Sequence, residues 1–192
     1  MISEGTLSTA MSGRVTRPDR RAASPEVVIR VATELRVTEI AALADLLVVV
    51  VDGGASLGFL APLSRGEAMR YWSAAPAPDV VLLLAEVAGR IIGTAQLQPA
   101  ESANGQHRGD VAKVMVHPDW QRQGIGRRLM VRVEAAARAT GRWLLVLDTR
   151  DGDPANRLYR SLGYQEVGRI PGYSRTADGR FAATLFYYKA LS

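Results

Sequence analysis

The 192-residue chain contains no cysteine. That removes a disulfide framework, a zinc site built on thiolates and a cysteine nucleophile at once. Histidine is almost as scarce. His107 and His117 lie ten positions apart without clustered carboxylates, so no metal is expected. Long apolar runs are missing too: the longest, Leu46 to Val51 and Val80 to Ala85, are six residues each, against the roughly 20 needed to cross a bilayer. The N-terminus lacks the apolar stretch of a secretory signal. These absences predict a soluble, cytoplasmic protein with no membrane partner.

What is present suits one folded domain. With 47% hydrophobic and 22% charged residues, the chain can bury a core of that size. Residues 1–25, rich in Ser, Thr and Arg, predict a flexible arm ahead of a single domain at 26–192. Net charge is +5 and the isoelectric point about 10.0, which raises nucleic acid as a partner. The distribution argues against it. In the arm, Arg14, Arg17, Arg20 and Arg21 are set against Glu4, Asp19 and the nearby Glu26, whereas Arg122, Arg127, Arg128, Arg132, Arg138 and Arg142 gather around one glycine turn. No basic and aromatic stripe or helix-turn-helix pattern accompanies them, so no nucleic-acid role is expected.

That turn is the most informative segment. Gln121-Arg122-Gln123-Gly124-Ile125-Gly126 follows the alternating stretch Val114-Met115-Val116-His117-Pro118 and opens into the amphipathic run Arg127 to Thr140. A strand, a tight turn and a helix start leave backbone N–H groups free at the positive end of a helix dipole, and glycine lets a phosphate approach them. The segment reads as a pyrophosphate cradle. A P-loop is excluded because Arg127-Arg128-Leu129 follow Gly126 where a Lys and a Ser or Thr are needed. A dinucleotide fingerprint is disfavoured because Leu129 stands where its third small residue belongs. Arg122, Arg127 and Arg128 are the candidate phosphate ligands; the later arginines suit a solvated helix face.

The remaining pattern, Q/R-x-x-G-x-G after a strand ending Val-x-His-Pro, resembles the acetyl-CoA-binding motif of the GNAT superfamily of N-acetyltransferases. A second segment, Ala155-Asn156-Arg157-Leu158-Tyr159-Arg160-Ser161-Leu162-Gly163-Tyr164, resembles that superfamily's A-x-x-L-Y-x-x-x-G-F/Y motif, in the expected order. Around these, strands are predicted at Val27 to Ala32, Val80 to Val87, Arg90 to Gln98, Asp110 to His117, Trp143 to Asp148, Tyr164 to Gly168 and Ala182 to Lys189. Helices are predicted from Thr38 to Gly53, from Ser64 through Trp72, after the turn, and at Pro154 to Leu162. This order matches the α/β GNAT fold, a mixed, mostly antiparallel twisted sheet of about six to seven strands with helices on both faces.

The resemblance implies acetyl-CoA as acetyl donor, with Gln121, Arg122, Gln123, Gly124, Ile125, Gly126 and Arg127 around its pyrophosphate. Backbone groups of Met115 and Val116 would pair with pantetheine, and one N–H there would meet the oxyanion. Gly152 stands where the family often has an asparagine, which leaves Asn156 as the substitute contact. Tyr159 matches the residue that acts as general acid on the departing sulfur, although it can also simply pack helix on sheet. Most alkyl amines are protonated at neutral pH, so a base is needed. Asp110 and Asp148 are the carboxylates best placed by topology, on strands that would splay to admit pantetheine. An ordinary aspartate, with a pKa of about 3.9, is too weak unless burial raises it. The alternative role for either is to hold the substrate ammonium.

A closer resemblance runs through Val51 to Phe59, Ala112 to Val116, Leu147-Asp148-Thr149, Pro171-Gly172-Tyr173 and Asp178-Gly179-Arg180, which are similar to the tabtoxin resistance acetyltransferase subgroup. It implies a small-molecule amine substrate, an amino-acid-like toxin or antibiotic among the options, with Phe59, Trp72 and Tyr173 as candidate pocket walls. A homodimer is compatible with the sequence. The rival readings are a protein or peptide N-acetyltransferase and a non-catalytic CoA-binding sensor.

Overall fold

Alternating apolar runs and their turns build one sheet in the computed structural model, which describes residues 26–75 and 77–192. The arm expected at 1–25 lies outside the described residues. β1 (Val27–Ala32), β2 (Val81–Val87), β3 (Arg90–Pro99) and β4 (Arg108–Val116) form an antiparallel meander. The Ala88-Gly89 turn between β2 and β3 has φ of 48° and 77°, the two-residue geometry that matches strand twist. β5 (Leu144–Arg150), β6 (Gln165–Arg175) and β7 (Phe181–Ala190) form a second antiparallel set. The sheet order is β1-β2-β3-β4-β5-β7-β6, with β4 and β5 as its parallel pair. A parallel pair needs a crossover, which α3 (Ile125–Ala139) supplies.

Helices cover both faces. α3 and the short α4 (Ala155–Ser161) lie on one, where Ile125, Leu129, Met130, Val133 and Ala137 recur at helical spacing and pack on Leu83, Ala85, Leu145 and Leu147. On the other, α1 (Val37–Asp52) and α2 (Arg65–Ser73) bury Leu43, Leu47, Val50 and Trp72 against Leu82 and Leu84. β2 is thus buried on both faces, which explains the unbroken run Val80 to Ala85. The Ser64 hydroxyl accepts from the Glu67 N–H at 3.2 Å and caps α2 as the sequence predicts.

Several strand boundaries differ from the sequence reading, including the start of β4, at Arg108 rather than Asp110, and the ends of β5 and β6. β5 runs on to Arg150, and β6 continues past Gly168 to Arg175 through Pro171-Gly172. β6 is an edge strand, and its register shifts between Ile170 and Ser174, so a proline and a glycine are absorbed in a bulge.

Candidate functional site

The site begins where β4 and β5 part. Their parallel pairing covers three rows only, Arg108 with Leu144, Gly109 with Leu145 and Asp110 with Val146. Beyond Asp110, β4 pairs with β3 alone, which leaves a strand edge facing a gap. His117 donates its N–H to the Ile92 carbonyl on the β3 side at 2.8 Å, so the alternation of a strand turns the Val116 N–H and C=O into that gap. The Gln121 side-chain amide donates to the Val116 carbonyl at 3.1 Å. Met115 faces the other way, paired with Thr94.

β4 also carries a bulge. Gln96 is opposite Ala112 while Thr94 is opposite Met115, so three steps on β4 match two on β3. The extra residue brings Lys113, at φ 50°, onto the same face as Asp110. There its ammonium donates to the Leu57 carbonyl at 2.8 Å and lies 5.4 Å from the Phe59 ring centroid and 5.3 Å from that of Tyr71. Among the described residues, four non-glycines have positive φ. Asp79 and Ala88 sit in turns; Lys113 and Arg122, at 58°, flank the gap. A left-handed non-glycine costs about 1–3 kcal/mol, and persists where the surroundings over-determine it.

The glycine turn forms as expected. Gly124 has φ 80° and is the N-cap of α3, whose first i to i−4 bond runs from the Arg128 N–H to the Gly124 carbonyl at 3.1 Å. The N–H groups of Ile125, Gly126 and Arg127 precede that bond and have no intrahelical acceptor. A Cβ added at Gly124 would meet nothing within 4 Å, so the space beside the turn is open. Left-handed residues at 122 and 124 shape the turn that leads into these donors, and free N–H groups at a helix start suit an anion. Together with the exposed β4 edge, the donor set fits a pyrophosphate followed by an amide-bearing arm. Of the candidate arginines, Arg122 is exposed, Arg127 donates to the Ser161 hydroxyl at 2.7 Å, and Arg128 donates to the Val27 carbonyl at 2.5 Å.

Asp110 and Asp148 lie on one face of neighbouring strands, with Lys113 beside them. Burial raises the Asp110 carboxyl above the ordinary range, and Arg108 opposes it. Burial likewise raises Asp148; the Lys113 charge pulls it back, and the like charge of Asp110 pushes it up. Lys113 is lowered by burial and held up by Asp148. These are the shifts that turn a weak carboxylate into a better base. Tyr159, 5% exposed on α4, is raised well above an ordinary tyrosine, first by burial, then by the charges of Asp153 and Asp148. It therefore stays protonated at neutral pH. Its hydroxyl makes no hydrogen bond to another described residue, whereas the Tyr187 hydroxyl donates to Asn156 Oδ1 at 2.8 Å.

Three expectations need correction. Asn156 is not free for a ligand: its amide donates to the carbonyls of Arg150 and Asp153 at 2.9 and 2.8 Å and ties the β5–α4 loop. Trp72 is fully buried in the α1–α2 core and is not part of the cavity wall that Phe59 lines; Tyr71, one position earlier, faces Lys113 instead. Tyr173 is 53% exposed on β6, packed edge-on against Phe186 at 5.1 Å, and the cavity wall starts one residue later at Ser174. Phe59 does line that cavity, which has a volume of about 350 Å³ and lies between the α1–α2 loop and the β6–β7 hairpin. The sequence reading missed Lys113, Tyr71 and Arg150. The left-handed backbone of Lys113 leaves no mark in composition or periodicity. His117 caps the turn after β4 by accepting from the Asp119 N–H, and His107 stacks on Trp143 at 4.8 Å. Among the described residues no cluster of metal-ligating side chains occurs and no helix is long and apolar enough to cross a membrane.

Residues 78–166, which hold the parted strands, the glycine turn and Tyr159, match the acetyltransferase (GNAT) domain. That stretch is therefore similar to the GNAT acetyltransferase domain, and the fold is the mixed α/β fold of GNAT acetyltransferase structures. A structure of yncA from Salmonella typhimurium, a putative acetyltransferase with its cofactor acetyl-CoA, superposes with a TM-score of 0.72 at 22% identity, over 87% of this chain and 95% of that one. An uncharacterized N-acetyltransferase of the hisH-hisA intergenic region of Azospirillum brasilense is 38% identical over 105 residues, 53% of this chain and 62% of its own. The L-amino acid N-acyltransferase MnaT of Escherichia coli is 31% identical over 91 residues, 47% of this chain and 53% of its own. The ribosomal protein bS18-alanine N-acetyltransferase of the same organism is 38% identical over 68 residues, 35% of this chain and 46% of its own. These matches therefore leave a third or more of each curated relative uncovered. The tabtoxin resistance subgroup is not among these similarities.

Proposed function

We propose that the protein is an acetyl-CoA-dependent N-acetyltransferase that acts on a primary amine of a small molecule. The observation that carries the reading is the parting of β4 and β5 above the left-handed glycine turn, with a protonated tyrosine and two raised carboxylates beside the opening. Acetyl-CoA, when bound, would supply an acetyl group activated as a thioester. The N–H groups of Ile125, Gly126 and Arg127, with the exposed Arg122, would hold its pyrophosphate. The Val116 N–H, turned into the gap, is the donor suited to the acetyl carbonyl oxygen. Asp148, reinforced by Asp110, takes a proton from the substrate ammonium so that the amine can attack; Tyr159 gives a proton to the sulfur as the C–S bond breaks, and the second proton of the attacking nitrogen is lost to solvent, from which Tyr159 is reprotonated. The net result is an amide and a free thiol.

The cavity between the α1–α2 loop and the β6–β7 hairpin supports a small acceptor. Its volume of about 350 Å³ is that of a small-ligand site, and the loop above it is tied down from both parted strands, by Lys113 to Leu57 and by Arg150 to Gly54. The likeness to the tabtoxin resistance subgroup extends the reading to detoxification of an amino-acid-like antimetabolite. The similarity to the bS18-alanine enzyme supports the second reading, acetylation of a protein α-amine. Thiol release from acetyl-CoA with parallel panels of small amines and N-terminal peptides decides between them: release with small amines is expected. Release confined to peptides would move the assignment to the second reading, and CoA binding without acceptor-dependent release would make the protein a sensor.

A further inference from the structure

The cavity beside the parted strands is positively charged in a way that amine chemistry alone does not require. Arg150, half-buried at the end of β5, donates to the Gly54 carbonyl at 2.6 Å. Among the described residues neither Arg150 nor Arg175, on the facing hairpin, has a carboxylate within 4.0 Å. The cavity's own carboxylate, Asp178, is already taken: it accepts from the Thr176 hydroxyl at 2.5 Å and from Arg180 at 2.6 Å. Two guanidinium charges therefore remain uncompensated over an apolar floor of Val51, Phe59 and Ala61. A neutral carbonyl is a weaker partner for guanidinium than a carboxylate, which accepts two parallel charge-assisted bonds.

Position along β5 adds a second constraint. Asp148 and Arg150 are two residues apart, so they project from the same strand face about 7 Å apart. An amine brought to Asp148 places a group two or three bonds away within reach of Arg150. That is the spacing of an amino group and a carboxylate on one small molecule.

Resting on the acetyltransferase reading, we infer that the acceptor carries an anionic group, a carboxylate or related oxyacid, held by Arg150 with help from Arg175. The substrate class is then amino acids and amino-acid-like amines, not simple amines or polyamines. On binding, Arg150 exchanges the Gly54 carbonyl for the substrate anion. The α1–α2 loop is thereby loosened from β5 while Lys113 still holds it at Leu57.

The test compares common L-amino acids with their own amides, which keep the amine and remove the negative charge. Phosphonate analogues of the same amino acids separate carboxylate from general oxyacid recognition. Carboxylate acceptors should have KM values lower by about 10- to 100-fold than the amides, and Arg150→Gln should erase that difference by weakening only the acid series. Arg175→Gln should do the same to a smaller extent. An equal loss for acids and amides in Arg150→Gln, or a wild-type preference for uncharged amines, overturns the inference and leaves the acetyltransferase reading standing. Calorimetric titration of the same pairs without donor reads the cavity separately from turnover. Acid-selective binding lost in Arg150→Gln supports it even where no thiol is released, a result that would count only against the acetyltransferase reading.

Discussion

The two halves of the proposed site are made of different material. The donor half is backbone: an open strand edge, a left-handed glycine and three N–H groups at a helix start, all within residues 111–127. The acceptor half is side chain brought from afar. Lys113 reaches Leu57 across 56 positions, and Arg150 reaches Gly54 across 96. Backbone sites are set by local geometry and serve any acceptor. Side-chain sites depend on tertiary packing and can change with the substrate while the donor half stays the same.

The sharpest way to break the donor half is Gly124→Glu. The position is left-handed, so the side chain strains it by about 1–2 kcal/mol, yet a Cβ there meets nothing within 4 Å. The fold should survive with a Tm lower by a few degrees. A carboxylate placed beside those helix-start N–H groups should reduce CoA affinity on the order of a thousandfold or more, read by calorimetry. Unchanged affinity would remove the pyrophosphate assignment. Next in size is Tyr159→Phe, which keeps the buried ring and deletes a hydroxyl that bonds to no described residue. Thermal stability and CoA affinity should hold, while kcat falls about 100-fold or more, as expected for loss of a general acid. A wild-type kcat would make Tyr159 a packing residue.

This contrast also explains what could be read before the fold was known. The glycine turn, the α1 and α3 faces and the β2–β3 hairpin follow from contiguous residues with period and turn chemistry, whereas Tyr159 stands out by the motif its segment resembles. The sequence even places Asp110 and Asp148 near the splay, because both lie at predictable points on strands. It fails where a residue's role depends on a distant partner. Asn156 looks like a ligand contact by motif, but a loop three to six residues upstream uses up both its amide protons. Trp72 looks like a pocket wall by type, but helical phase turns it into the core and leaves Tyr71 facing the site.

Lys113 tests how far the halves are coupled, because its backbone belongs to the donor strand and its ammonium to the acceptor loop. Lys113→Met keeps most of the side-chain volume and removes both the charge and the bond to Leu57. Donor affinity should stay within about twofold, whereas acceptor KM should rise about 3- to 10-fold as the loop loosens. The Lys113 charge holds the Asp148 carboxyl down, so its removal raises that carboxyl. A base must be ionised to act, and the acid limb of the kcat/KM profile should therefore move to higher pH. A profile that does not move, or moves down, dissociates Lys113 from the base.

The smallest effect is expected at the frame of the acceptor half. Glu39, 7% exposed in the first turn of α1, accepts from Arg36 at 2.9 Å and pairs with Arg30 of β1, which also bonds Glu86 of β2 at 3.0 Å. The Arg36 side-chain bond, followed by its backbone N–H and Arg30, overcomes burial and holds the Glu39 carboxyl at about 2, below the usual 4.5. A depressed folded value means that the stabilisation is complete above about 4.5 and is lost as pH falls toward about 2. Glu39→Gln should therefore cost about 1–3 kcal/mol at neutral pH and progressively less in acid, the two Tm curves converging as Glu39 is protonated. Hydrogen exchange should show where the loosening falls. If charge pins only the acceptor half, α1 amides lose protection first and α3 amides, held by apolar packing on the other face, keep theirs. Simultaneous loss on both faces would mean that the two halves unfold as one unit, and that they differ in material but not in stability.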